Sequence, residues 1–167
     1  MAQDDQSEHS LSLLEQCWAI SNEGEDCAYW AREHLQEEHV GKLVERLTTS
    51  ADSDTRWQAY DVLGDLLAFS DKVQPVLEAG MADENPYVRR RAFGPLLRRF
   101  KDDAAPYLLR MLADEDVYNR YVAVKEGRRQ NIKALQSQMD AVAQDPEVAS
   151  HLDYYENHKE TIDYYDE

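Results

Sequence analysis

Cysteine is nearly absent from this chain: Cys17 and Cys27 are the two in 167 residues. A disulfide framework needs more cysteines in a smaller chain, so this fold has to rest on apolar burial. Both stand among apolar neighbours and read as buried free thiols. Glycine and proline are scarce as well, at six and five, which leaves little room for long irregular loops. No apolar stretch approaches the length needed to cross a bilayer. The opening Met-Ala-Gln-Asp-Asp-Gln-Ser-Glu has neither the positive nor the apolar region of a secretory signal, so a cytoplasmic location is expected. Period-two alternation over strand length is missing, and so is any Asn-Gly hairpin signal. Strands are therefore not expected.

Basic residues are outnumbered, 18 Lys and Arg against 34 Asp and Glu, for a net charge of −16. That balance opposes unassisted binding to nucleic acid or anionic membrane, because phosphate binding needs clustered cations. It fits a basic protein partner. The charge is unevenly spread. Residues 1–88 hold 5 Lys/Arg against 19 Asp/Glu, residues 89–133 hold 12 against 6, and residues 134–167 hold 1 against 9. A basic block in the middle is thus flanked by acidic segments, and nucleic acid would find purchase only on that block.

What the chain does have is a period. Asp52, Asp83, Asp114 and Asp145 lie 31 residues apart, and alanine precedes the first three. Pro75 and Pro106, Arg89 and Arg120, and Ala92 and Ala123 keep the same interval. A fixed period of this size marks stacked helical repeats, in which each unit buries its apolar face on its neighbours. Apolar residues fall at helical spacing throughout. Ser12 with Glu15 fits a capping box, and Asp26 and Asp54 are candidate N-caps. Pro75, Pro86 and Pro106 stand where first turns should begin, and Gly94-Pro95 should kink the helix that contains it. The expected organisation is a flexible segment 1–9, an all-α repeat domain 10–145 of about four helix pairs counted over the whole chain, and an acidic, Tyr-rich capping helix 146–167.

Asp-Glu-Asn-Pro-Tyr-Val-Arg-Arg-Arg-Ala-Phe-Gly-Pro-Leu-Leu at 83–97 carries the pattern of a turn aspartate, then Val-Arg, then Ala and apolar residues. Looser copies begin at Asp52 and Asp114. This pattern resembles HEAT and HEAT-like repeats, with a period shorter than that of the longer HEAT class. The resemblance implies an α-α superhelix (solenoid) used as a surface for protein binding. It also implies that Arg89 and Arg120 pair with turn aspartates of neighbouring repeats. A weaker resemblance is to the HEAT-like glycosylases of DNA alkylation repair. Those carry a Trp and an Asp four residues apart on one helix and an Arg-x-Ala on a later one, matched here by Trp57, Asp61 and Arg90. A later Trp-x-Leu-Arg of that family is replaced by Glu126-Gly-Arg-Arg. The pairs Glu33-His34 and Glu38-His39 resemble, in reversed order, the metal-binding pairs of HEAT-like iron hydroxylases. A metal site needs further convergent ligands, so neither metal nor cofactor is expected.

The leading expectation is a non-enzymatic binding module for a basic protein, of the kind an inhibitor or immunity-type protein would be. A diverged glycosylase using Trp57, Asp61 and Arg90 is the first alternative, and a structural scaffold subunit the second. Candidate binding residues are those that depart from the repeat or line its face: Arg89, Arg90, Arg91, Arg120, Arg128 and Arg129 in the basic block, and Tyr154, Tyr155, Tyr164 and Tyr165 in the acidic tail.

Overall fold

The structure, a computed structural model, describes residues 48–166 except residue 69. The Ser12 box, Asp26, both cysteines and the pairs around His34 and His39 lie outside the described residues. Every regular element among the described residues is helical. They divide into two compact units, the first ending at Arg99 and the second beginning at Phe100.

The first unit contains α1 (Ser53–Leu66), α2 (Val73–Gly80) and α3 (Pro86–Phe100). The second contains a 3-10 turn (Lys101–Ala104), α4 (Ala105–Leu112), α5 (Val117–Arg129), a second 3-10 turn (Lys133–Leu135), α6 (Gln136–Val142) and α7 (Pro146–Asp166). Long helices thus alternate with short ones. The long ones begin at a side chain that satisfies otherwise unpaired N–H groups. Asn85 Oδ1 accepts from Tyr87 N at 2.9 Å and opens α3. Asp116 Oδ1 accepts from Asn119 N at 2.9 Å and opens α5.

At α1 the cap is Asp52 rather than Asp54. Its carboxylate accepts from Asp54 N and Thr55 N, at 3.4 and 3.0 Å. Asp54 lies inside the first turn and receives Trp57 Nε1–H at 3.2 Å. Helix α2 also starts earlier than its proline suggests. It begins at Val73, placing Pro75 third, still among the N–H groups that have no helical acceptor. Helix α3 continues through Gly94-Pro95 to Phe100. Pro95 is buried, and its ring lies where a Cβ on Gly64 would stand, 2.5 Å from Pro95 Cγ. The glycine therefore lets α1 and α3 approach closely.

The caps correct the register of the repeat. In the second and third copies the turn aspartate receives the N–H two residues on: Asn85 N to Asp83 Oδ1 and Asp116 N to Asp114 Oδ1, both 2.9 Å. At α7 Glu147 N also reaches Asp145 at 2.9 Å, but Asp145 directly precedes that helix, and Ala149 N bonds its carbonyl as Arg120 N bonds that of Asp116, so Asp145 is itself a cap. In the first copy the acceptor is Ser50 Oγ, which receives Asp52 N at 3.3 Å. The equivalent positions are thus Ser50, Asp83 and Asp114, at intervals of 33 and 31 residues. Asp52 and Asp145 match Asn85 and Asp116, the helix caps.

Each unit has its own core. Leu63, Leu66, Leu77, Val88, Phe93 and Leu96 are sealed in the first, and Leu108, Met111, Val124, Ile132, Met139 and Val148 in the second. Sealing each such side chain contributes about 1.5–3 kcal/mol. Helix α5 ends without glycine. Asn131 takes the left-handed conformation at φ 57°. Ile132 N then reaches Gly127 O, and Asn131 N reaches Arg128 O, both at 3.0 Å. This doubly bonded ending needs a residue that tolerates positive φ, and asparagine is the usual substitute for glycine.

Candidate functional site

Trp57 and Asp61 are one helical turn apart on α1 and so share a face. Facing them from α3 are Tyr87 and Arg91. The Trp57 and Tyr87 rings meet edge-on with centroids 5.3 Å apart. The Arg91 guanidinium lies 4.9 Å from the Tyr87 centroid and 5.5 Å from that of Trp57. Its Nη1 is 3.4 Å from Asp61 Oδ1, and its Nη2 donates to the Tyr87 hydroxyl. Arg91 Nε is buried without a hydrogen-bond partner. Arg90 lies over Tyr87 as well, 4.7 Å from the centroid. The side chains of Arg91 and Asp61 keep 41% and 38% of their surface open, so solvent screens their pair.

The structure thus brings Trp57, Asp61 and Arg90 to one neighbourhood, with Trp57 half-buried rather than sealed. The guanidinium nearest Asp61 is that of Arg91. Tyr87, the ring that organises the cluster, was not among the residues singled out from sequence. Its spacing of three and four from Arg90 and Arg91 was the available signal.

The other arginines fall into two groups. Arg89 is buried, and its Nη1 donates to the carbonyls of Asp83 and Glu84 at 2.9 and 3.2 Å. Arg120 Nη1 does the same to Asp114 and Glu115 at 3.0 and 3.1 Å, and its Nη2 lies 3.2 Å from Asp145 Oδ2. Arg56 is a third member, out of the 31-residue phase. It donates to Ser50 O and Ala51 O at 2.9 and 3.1 Å, and holds Asp83 with two bonds of 2.8 and 3.0 Å. These arginines brace turns: a planar fork reaches carbonyls and, in Arg56 and Arg120, a carboxylate on the other side. Arg128 and Arg129 are exposed and paired on the surface, with Asp140 at 3.1 Å and Glu126 at 3.0 Å.

Two carboxyls titrate low because of these turns. The Thr55 hydroxyl and backbone N–H hold Asp52 below the usual aspartate range. The Glu147 N–H, with Arg120 adding to it, does so for Asp145. Burial pushes the Tyr60 hydroxyl up.

The tail presents a different surface. Tyr154 is 62% exposed, and its ring stacks on His158 with centroids 4.2 Å apart. Tyr155 is half-buried and receives Lys125 Nζ at 4.9 Å from its centroid. His151 meets the rings of Tyr118 and Tyr121, each at 5.4 Å. The side chains of Tyr164 and Tyr165 lie outside the described ones. No group of His, Cys, Asp and Glu suited to hold a metal occurs among the described residues. Among the same residues, no helix is long and apolar enough to cross a membrane.

No curated protein and no solved structure matches this chain. A family model for HEAT repeats matches residues 40–126, more than half of the sequence. That span takes in α1 to α4 and most of α5, with the capped turns and their bracing arginines. The chain belongs to the HEAT-repeat family.

Proposed function

We propose that this chain is a non-enzymatic binding module that holds a basic protein partner on an acidic surface. HEAT repeats commonly mediate protein–protein contacts. The observation that carries the finer reading is α7. Between Pro146 and Asp166 it has six acidic residues against one lysine, and it exposes Tyr154 beside Asp153 and Glu156. Tyrosine supplies contact area at low entropic cost, and surrounding carboxylates favour cationic partners. The protein stays cytoplasmic in this reading, and the organisation into a repeat domain and an acidic capping helix is retained. Immobilised protein exposed to extract of its native host should retain a protein of high isoelectric point. Recovery of none, or of acidic proteins only, rejects the reading.

A second reading has one observation in its favour. Trp57, Asp61, Arg90 and Arg91 do share a partly open neighbourhood, the arrangement that release of alkylated bases from DNA would need. Asp61 would have to leave Arg91 to act on a substrate. A base-release assay on alkylated DNA, comparing the native chain with Asp61→Asn, decides it: no release above the variant's level ends this reading.

A further inference from the structure

Arg91 is held at a cost. Its Nε is buried without a hydrogen-bond partner, which is unfavourable for any N–H group. Its contact with Asp61 is long, 3.4 Å, and open to solvent. The guanidinium of Arg90 crowds the same Tyr87 ring at 4.7 Å, like charge beside like. Nor does the repeat call for a cation here. The turn residues Ser50, Asp83 and Asp114 align Arg91 with Gln58 in α1 and Val122 in α5. The bracing arginines, Arg56, Arg89 and Arg120, form a separate series. The place that Arg91 fills is also built without it. Trp57 is tied to Asp54 through its Nε1–H, and Tyr87 is fixed in the first turn of α3 by the bond from its N–H to Asn85. Their rings stand 79° apart and form a corner, with the Asp61 carboxylate beside it. Aromatic rings next to a carboxylate select an organic cation.

We propose that the corner of Trp57, Tyr87 and Asp61 is a recognition site for an arginine of a protein partner, and that Arg91 is its exchangeable internal occupant. Arg91 itself shows which group fits: a planar guanidinium that lies over both rings, 4.9 and 5.5 Å from their centroids, and reaches the carboxylate. On exchange Arg91 turns into solvent, its Nε–H gains water, and its charge moves away from that of Arg90. The partner's guanidinium then takes its place against the same rings and Asp61. Because the corner is occupied from within, the apparent affinity falls by the fraction of molecules in which it is open. The net charge of −16 favours a cationic protein group over a nucleic acid. The proposal rests on the basic-partner reading only for the source of the arginine.

The test titrates N-acetyl-arginine amide into the full chain at fixed ionic strength. It follows the Trp57 indole N–H by NMR, a resonance assigned by its loss in Trp57→Phe. Arg91→Ala, with the corner open, should bind saturably in the millimolar range. The native chain should bind about tenfold more weakly, because Arg91 has to be displaced. Adding Asp61→Asn to Arg91→Ala should weaken binding about fivefold. N-acetyl-norleucine amide, which has no cation, should not bind. Circular dichroism checks that each variant is folded, and Arg91→Gln replaces Arg91→Ala should the latter not fold. No binding by the opened variant overturns the proposal, as does equal binding by it and the native chain. A native chain that never binds overturns it too, since Arg91 would then be a fixed clamp between α1 and α3. A response to alkylated duplex DNA but not to the capped arginine would give the corner to base release instead. None of these substitutions lies in α7, so capture of a basic host protein tests the broader reading separately.

Discussion

Arg56 and Arg120 perform one task in different surroundings, and their substitution should separate the contribution of burial. The side chains of Arg56 and Asp83 are 8% and 11% exposed, whereas those of Arg120 and Asp145 are 22% and 38%. Removing Arg56 leaves a carboxylate and two carbonyls largely cut off from water. Arg56→Met should cost about 3 kcal/mol or more in urea unfolding, and Arg120→Met about 1 kcal/mol. Equal losses would show that the Arg56 pair is as well hydrated as the other. The aspartates add a pH dependence. Asp52 and Asp145 are held below their ordinary range in the fold, so the unfolded chain takes up protons first as pH falls. Their stabilisation is full above the ordinary aspartate value, near pH 4, and is lost as pH falls through the lowered folded values. Asp145→Asn should therefore flatten the acid limb of a stability-against-pH curve and leave its slope above pH ~6 unchanged. Asp83 and Asp114 were legible as a period because both occupy one turn position. Asp52 and Asp145 were misleading because aspartate also serves as a helix cap two residues later, and Ser50 fills the true first turn position. The same two-residue offset hid Arg56.

Helices in this chain approach one another through glycines whose neighbours differ in stiffness. Gly64 faces the buried ring of Pro95, and Gly127 faces the flexible ends of Met139 and Leu108. Added Cβ atoms would meet both at short range, but a proline ring cannot fold away as a thioether can. Gly64→Ala should destabilise by about 1–3 kcal/mol. Gly127→Ala should be near neutral, since repacking offsets the gain of about 1 kcal/mol in helix propensity. Thermal unfolding of the two variants side by side gives the comparison. Element type was readable from apolar spacing and from Pro86, Asn85 and Asp116. Element contacts were less so. Tyr87 lies 30 residues from Trp57 in sequence, and only the packing of α1 beside α3 brings the rings together. The ending at Asn131 was likewise hidden, because asparagine marks a left-handed residue far less strongly than glycine does.

Charge is the property that acts across the whole molecule. A partner held through the carboxylates of α7 should be released as salt rises from about 0.15 to 1 M, where the screening length falls from about 8 to 3 Å. Elution that ignores salt would mean the contact is mainly apolar. Composition announced the acidity, and the family was legible from three turn motifs. Which carboxylates stay open was not, because exposure depends on what packs where. The arginine braces carry a further consequence, for how such a chain tolerates insertions and deletions. Arg56, Arg89 and Arg120 each reach back to the carbonyls six and five residues before them, yet their anchors are 33 residues apart in one interval and 31 in the next. The invariant is the short span inside each brace, not the length between braces. Residues can be gained or lost between anchors without breaking one, while a single insertion between Ser50 and Arg56 would break it outright. Sequences of this kind can therefore drift out of numerical phase, and out of reach of pairwise comparison, while every turn keeps its form.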